Sequence, residues 1–243
     1  MTYKLSSSEY ITLREFGEGC GWHPKVIGYA RNRMELFEKI SQEDAVILAN
    51  KLGATVEDFT LYDTEWTVSF EPLPDLKILF LLVADEEFGS EFYVYYNQDA
   101  VKYPAEDALI FSLAFITLFP HEAEFLWTNK RRRLGTQIIE KRDINQLLAI
   151  LKNITPDVAK IVASNLGGEF KEIGGWSITF TPITTLPITY EVGKKTRILY
   201  DVDKAQWIPE VVYAFKWLYL NAVIRETRKL MGEPLPETSS CSL

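Results

Sequence analysis

The sequence predicts an α+β fold of two similar α-β-β-β-α half-units, related by an internal duplication and a pseudo-two-fold axis. One observation is a repeated strand, because residues 66–72 and 176–182 share Trp, Phe and Pro at the same spacing. Another is a repeated helix, because residues 41–53 and 155–167 both run twelve steps from a capping residue to a glycine. Two repeats that occur in the same order favour two copies of one unit.

The repeated strand alternates large apolar residues with small polar ones. In the first copy Trp66, Val68 and Phe70 alternate with threonine and serine, and residues 176–180 follow the same pattern. A period of two is typical of a strand that is buried on one face, so we expect Phe70 and its counterpart to be core residues. Proline has no N–H to donate, so Pro72 is expected to end the ladder.

Both repeated helices carry their own start and stop signals. Ser41 followed by Asp44 resembles a capping box, in which serine and acid satisfy each other's backbone N–H groups. Thr155 caps the second helix, and Pro156 stands at the first helical position, where its missing N–H costs nothing. A glycine closes each helix, typically in the left-handed conformation.

The later elements follow in the same order in both copies. Residues 76–84 are apolar on both faces, which is typical of a central strand. Pro104 and Pro209 each begin a long helix. The second strand, third strand and long helix are predicted at 76–84, 92–96 and 104–118 in the first copy, and at 186–192, 197–200 and 209–231 in the second.

These elements divide the chain into five predicted segments. They are an irregular N-terminal segment at 1–29, repeat unit one at 30–120, a linker at 121–142, repeat unit two at 143–231 and a disordered tail at 232–243. A cleft or shared sheet is expected where the two units meet.

Composition limits the partners and the compartment. The formal net charge is −8, which argues against a nucleic-acid partner or an anionic membrane, since both attract basic surfaces. Cys20 and Cys241 are the only cysteines, and the N-terminus shows no secretion signal, so a reduced, cytoplasmic chain is expected. The longest apolar run, 108–119, is shorter than the roughly 20 residues of a membrane span.

Five acids are candidates for a catalytic site. Asp85, Glu86 and Glu87 form an acidic turn, and Glu106 and Asp107 stand at the predicted start of a long helix. Converging carboxylates could act as acid and base or hold a cation. The other interpretation is an exposed turn plus acids that the helix dipole favours.

Metal chemistry is not predicted, and the sequence does not indicate a cofactor. Cys20 and His23 are two potential ligands, whereas a structural zinc site needs four. No common catalytic motif occurs in the sequence, which leaves enzymatic activity open.

Two further groups of residues are candidates for binding. Trp207, Tyr213 and Trp217 suit a ligand pocket or a subunit interface, although they could also fill the core. The basic run that includes Arg131, Arg132 and Arg133 could bind a phosphate or an acidic partner, or could form a solvated hinge.

Two functions follow as hypotheses. The first is a non-catalytic binding or accessory protein, monomer or homodimer, that holds a small molecule or a protein partner between its half-units. The alternative is a hydrolase or transferase that uses residues 85–87 with Glu106 and Asp107. A pocket of converging carboxylates would favour the enzyme.

Several short patterns resemble a known family. They are LFLLVADEEF at 79–88, VYYN at 94–97, YPAED at 103–107, LGG at 166–168 and ILYD at 198–201. Together they resemble DUF3786, a domain of unknown function common in anaerobic bacteria and archaea. Ala84 stands where that family has glycine, and Asn97 where it has aspartate. The resemblance implies a relative in fold and implies no particular activity.

Overall fold

A computed structural model describes residues 9–61, 64–84, 89–135 and 137–233. Over these ranges the chain has an α+β fold with eight α-helices and two antiparallel sheets. The α+β prediction is confirmed. The internal duplication stays a prediction.

The first sheet has five strands in the order β1-β5-β4-β3-β2. The strand β4 is central and buried along nearly its whole length, as its apolar sequence predicts. The strands are β1 (Tyr10–Ile11), β2 (Thr55–Val56), β3 (Thr64–Leu73), β4 (Leu76–Val83) and β5 (Glu91–Asn97).

The second sheet has four strands in the order β6-β7-β8-β9. Its three longer strands follow one another by antiparallel pairing, as do β3, β4 and β5 in the first sheet. The strands are β6 (Glu169–Glu172), β7 (Trp176–Phe180), β8 (Ile188–Val192) and β9 (Thr196–Tyr200).

Pro72 does not end its strand, contrary to the expectation. The strand β3 continues to Leu73, which pairs with Leu76, and the register shifts between Phe70 and Leu73. Such a shift leaves residues out of the ladder, so the missing N–H of Pro72 need not break a pair. The second copy does end at Phe180, before its proline.

The helices are α1 (His23–Arg31), α2 (Met34–Phe37), α3 (Gln42–Leu52), α4 (Ala105–Thr128), α5 (Ile144–Leu151), α6 (Pro156–Asn165), α7 (Val202–Ala205) and α8 (Pro209–Met231). The sequence predicts an irregular segment where α1 begins. Pro24 lies in the first turn of α1, where no N–H is needed, so the proline favours the helix there. The predicted caps at Ser41 and Thr155 are present.

The helix α4 passes through Pro120 and ends at Thr128, beyond the predicted end of repeat unit one. Proline costs a helix one hydrogen bond, but both flanking turns of α4 are buried on nearly every side. By length and composition α4 could cross a membrane. Because 83% of its apolar window is buried inside the fold, it is the core helix of this protein.

The two long helices pack against each other in a common core. The Phe111 ring of α4 lies 6.2 Å from Phe215 and 5.6 Å from Tyr219 of α8. Each helix also covers one sheet, since Phe115 stacks on Phe70 of β3 at 3.9 Å and Tyr219 stacks on Phe180 of β7 at 4.5 Å. The two half-units therefore share one hydrophobic core.

Candidate functional site

A cleft of about 650 Å³ lies where the start of α4 meets the second half of α8. We call it the junction cleft. Its volume falls in the range of small-molecule sites. Four parts of the chain form it, and the residues that matter below are Trp22, Lys102, Tyr103, Glu106, Arg225, Glu226 and Lys229.

The local sequence explains why charged side chains meet here. Pro104 precedes the first turn of α4, and the acids Glu106 and Asp107 lie in that turn, where the positive end of the helix dipole stabilises them. On α8, Lys229 follows Arg225 by four positions and Glu226 by three, so its side chain lies on the same side of the helix as both.

A buried ion pair joins the two helices beneath the junction cleft. Arg225 donates a hydrogen bond to Asp107, which is only 2% exposed. Burial raises the pKa of Asp107 above its usual 3.8, and the guanidinium of Arg225 acts in the opposite direction. The pair ties the first half-unit to the second across 118 positions of sequence.

Tyr103 contributes an uncharged side chain to the wall of the junction cleft. Its hydroxyl donates a hydrogen bond to the carbonyl oxygen of Pro74 at 2.6 Å. Burial and the nearby carboxylate of Asp75 raise the pKa of Tyr103 to about 12. The phenol is therefore uncharged at neutral pH.

Glu106 pairs with Arg142, whereas Asp107 pairs with Arg225. Glu106 Oε1 lies 2.8 Å from Nη2 of Arg142, whose guanidinium lies 4.5 Å from the ring centre of Trp217. Tyr213 holds the same residue by its backbone, because the tyrosine hydroxyl donates to the carbonyl oxygen of Arg142 at 2.7 Å. Through these contacts of Arg142, the segment before α5 is joined to both half-units.

The three aromatic candidates differ in how deeply they are buried. Trp217 is 4% exposed and is covered within the chain, so its burial does not require a second subunit. Tyr213 and Trp207 are half-buried, and the carbonyl oxygen of Trp207 accepts a hydrogen bond from the backbone N–H of Leu134 at 2.8 Å. None of the three lines the junction cleft.

The catalytic candidates are only partly described. Asp85, Glu86 and Glu87 lie outside the described residues. Glu106 lines the junction cleft, whereas Asp107 is buried against Arg225.

The basic run does not form one continuous patch. Arg131 Nη1 lies 3.7 Å from the carboxylate of Glu122, and its guanidinium lies 4.4 Å from the ring centre of Phe125. Arg132 and Arg133 are exposed. Across the described ranges, no three His, Cys, Asp or Glu side chains are grouped so that they could hold a metal ion.

The sequence did not single out Trp22, Lys102, Arg225 or Lys229 as site residues. A signal for the α8 residues exists, since a helix that is apolar up to Ile224 becomes polar from Arg225 onward. Nothing in the sequence indicates that this polar end meets the first turn of α4.

Comparison with known proteins adds no relative. No family model, no curated protein and no solved structure matches the chain.

Proposed function

We propose that the protein is a non-catalytic binding protein that holds a small polar molecule in the junction cleft. The observation that carries this proposal is the cleft itself, which is of ligand size and takes side chains from both half-units. A ligand that contacts the first turn of α4 and the end of α8 together would stabilise the packing of the two half-units.

The charges of the cleft support a ligand that carries both signs. Lys102 and Lys229 supply cations, and Glu18 and Glu226 supply carboxylates. The two lysines are paired at the surface, since Lys229 is largely exposed with its Nζ 3.8 Å from Glu226, and both Lys102 and its partner Asp75 are about half exposed. Glu226 also accepts a hydrogen bond from Asn165 at 2.7 Å. Exposed ion pairs contribute little free energy, so a ligand could replace them at low cost.

The alternative is a hydrolase or transferase that uses residues 85–87 with Glu106 and Asp107. Two ion pairs at and beneath the cleft favour a binding function over that reaction. Asp107 is buried and paired with Arg225, and Glu106 is paired with Arg142. Neither carboxylate is placed to take a proton from a bound substrate, because each already accepts a hydrogen bond from an arginine and Asp107 is out of contact with solvent. We also propose that the protein is cytoplasmic and that it is related in fold to DUF3786.

Native mass spectrometry of protein purified from its own host tests the proposal. We expect a small bound mass that is released on unfolding. Gly17 lines the cleft, and a Cβ added there would meet no atom within 4 Å, so Gly17→Leu should narrow the cleft without disturbing the fold.

A matched control is Gly135→Leu, since Gly135 lies outside the cleft and also has open space around it. The bound mass should persist in this control and fall in Gly17→Leu, with both melting temperatures unchanged. Retention of the same mass by Gly17→Leu would place the ligand elsewhere. The absence of any bound mass, with no thermal shift from a panel of amino acids and carboxylic acids, would contradict the proposal.

A further inference from the structure

The charged side chains that line the junction cleft differ in whether the protein already supplies them with an opposite charge. Every lysine and arginine among them forms an ion pair with a carboxylate, and so do two of the three glutamates. The pairs are Lys102 with Asp75, Arg225 with Asp107, Lys229 with Glu226 and Arg142 with Glu106. Glu18 also lines the cleft, and its carboxylate forms no ion pair or hydrogen bond with any described residue.

The cations on either side of Glu18 in the sequence do not pair with it. Arg14 lines a different groove. Lys25 lies over the ring of Trp22, with its Nζ 4.2 Å from the ring centre. Neither cation lines the junction cleft. Within the described part of the chain, Glu18 is therefore the charged group of the cleft that has no counter-charge.

The backbone holds Glu18 in a conformation that glutamate rarely adopts. Its φ of 62° and ψ of 4° lie in the left-handed region, where a Cβ crowds the following carbonyl group. The loop is fixed on both sides, because Phe16 is 3% exposed and a Cβ on Gly19 would lie 1.7 Å from the carbonyl oxygen of Leu13. Glycine would take this conformation at no steric cost, and side chains that are held in it are frequent at binding sites.

The apolar part of the lining suits a short alkyl chain. Val101, Leu166 and Ala222 supply aliphatic surface, and Val101 is 49% exposed. Tyr103 adds an aromatic ring, whose hydroxyl is already bonded to Pro74. An alkyl chain that carries polar groups at both ends could contact this surface and still reach charged side chains.

We propose that the ligand of the junction cleft is a cationic amine, of the class of a basic amino acid, and that Glu18 binds its distal ammonium group. This inference rests on the proposed function, because it names the chemical class of the molecule held in the cleft. An ammonium group gives Glu18 a counter-charge and a charge-assisted hydrogen bond. A dicarboxylic acid would instead bring a like charge to an unpaired carboxylate.

Three matched amino acids test the proposal by NMR titration of the isotope-labelled protein. L-lysine, L-norleucine and L-2-aminoadipate share the α-amino acid group and a similar length, but they end in an ammonium, a methyl and a carboxylate group. We expect lysine to bind with a dissociation constant below about 1 mM. Norleucine and 2-aminoadipate should each bind at least about tenfold more weakly, because neither can donate a hydrogen bond to Glu18 from its distal end.

Variants of Glu18 separate its charge from its backbone conformation. Glu18→Gln keeps the size of the side chain and should weaken lysine binding at least about tenfold, while norleucine binding changes less than about twofold. Glu18→Gly should lose the same preference for lysine without a lower melting temperature, because glycine accepts the left-handed conformation. The control is Glu35→Gln, which removes the same charge from an exposed residue outside the cleft.

Three results would overturn this inference. They are no binding of lysine to the folded wild type up to about 10 mM, equal affinities for lysine and norleucine, and an unchanged lysine affinity in folded Glu18→Gln. The proposed function is judged separately, by the bound mass in native mass spectrometry and its loss in Gly17→Leu. A bound mass that Gly17→Leu loses, together with any of the three results, would keep the cleft as the binding site and remove only the role of Glu18.

Discussion

The indole N–H of Trp176 donates a hydrogen bond to the carbonyl oxygen of Ile154 at 2.9 Å. Trp66 makes the same contact with Ile40, also at 2.9 Å. Each acceptor directly precedes the residue that caps a repeated helix, so each tryptophan ties its strand to the start of a helix. The shared spacing in the sequence therefore corresponds to a shared buried contact.

Replacing either tryptophan by phenylalanine should destabilise the protein. Trp66→Phe and Trp176→Phe each remove the donor and leave a buried carbonyl unsatisfied, which costs about 1–3 kcal/mol. Urea denaturation measures the free energy of unfolding. Trp127→Phe is the control, because that indole bonds to Asp44 at the surface, and its loss should change stability by less than about 0.5 kcal/mol. Equal losses in all three variants would contradict the assignment.

The phenylalanines of the repeated strands should be costly to truncate. Phe70 and Phe180 are 3% and 2% exposed and stack on rings of α4 and α8. Phe70→Ala and Phe180→Ala should each lower the free energy of unfolding by about 3–5 kcal/mol through lost burial and the cavity left behind. The half-buried Phe170 is a control with a smaller expected loss. Losses below about 1 kcal/mol at Phe70 or Phe180 would contradict their place in the core.

Acid should destabilise the protein through His121. Its imidazole is 4% exposed, and Nε2 has no hydrogen-bond partner among the described residues. Burial lowers the pKa of His121 below its usual 6.5, although the carboxylate of Glu122 acts in the opposite direction. Because the unfolded chain then binds more protons than the folded one, stability is lost as the pH falls from 6.5 toward the folded pKa.

A variant isolates this contribution. In His121→Gln the free energy of unfolding should fall less steeply with pH below about 6.5 than in the wild type. His23→Gln is the control. It should change the pH dependence less, because the pKa of His23 is also lowered by burial but its side chain is only half-buried. A pH dependence that His121→Gln leaves unchanged would exclude this histidine as its cause.

Local patterns allowed much of the fold to be predicted. The capping box at Ser41, the cap at Thr155 and the apolar strand β4 each depend on residues close together in sequence. A cleft between the two units was expected from the sequence, but the residues that form it could not be predicted, because Arg225 meets Asp107 across 118 positions. No periodicity encodes such distant pairs; they arise from the packing of α4 on α8.

The course of α4 shows a second limit of prediction. The sequence predicts a long helix over 104–118, which stops just before Pro120, a residue that usually interrupts a helix. The helix continues because Phe119, His121 and Glu122 are all buried on either side of the proline. Tertiary burial there outweighs one lost hydrogen bond, and a single sequence does not show which surfaces will cover a helix.

The ion pair between Asp107 and Arg225 gives the last prediction. Arg225→Met leaves the 2% exposed Asp107 buried without its partner and should lower the free energy of unfolding by about 3–5 kcal/mol. The raised pKa of Asp107 should then rise further, because the opposing guanidinium is gone. The loss should therefore be smaller at low pH, where the carboxyl group is protonated in both states.

A double variant and a surface pair complete this test. Asp107→Asn combined with Arg225→Met should recover much of the stability that Arg225→Met loses, because no buried charge remains. Lys102→Met breaks an exposed pair with Asp75 at the same cleft and should cost less than about 1 kcal/mol. If Arg225→Met costs no more than Lys102→Met, the pair is not what ties α4 to α8. Apolar packing around Phe111, Phe215 and Tyr219 would then hold the half-units together without it.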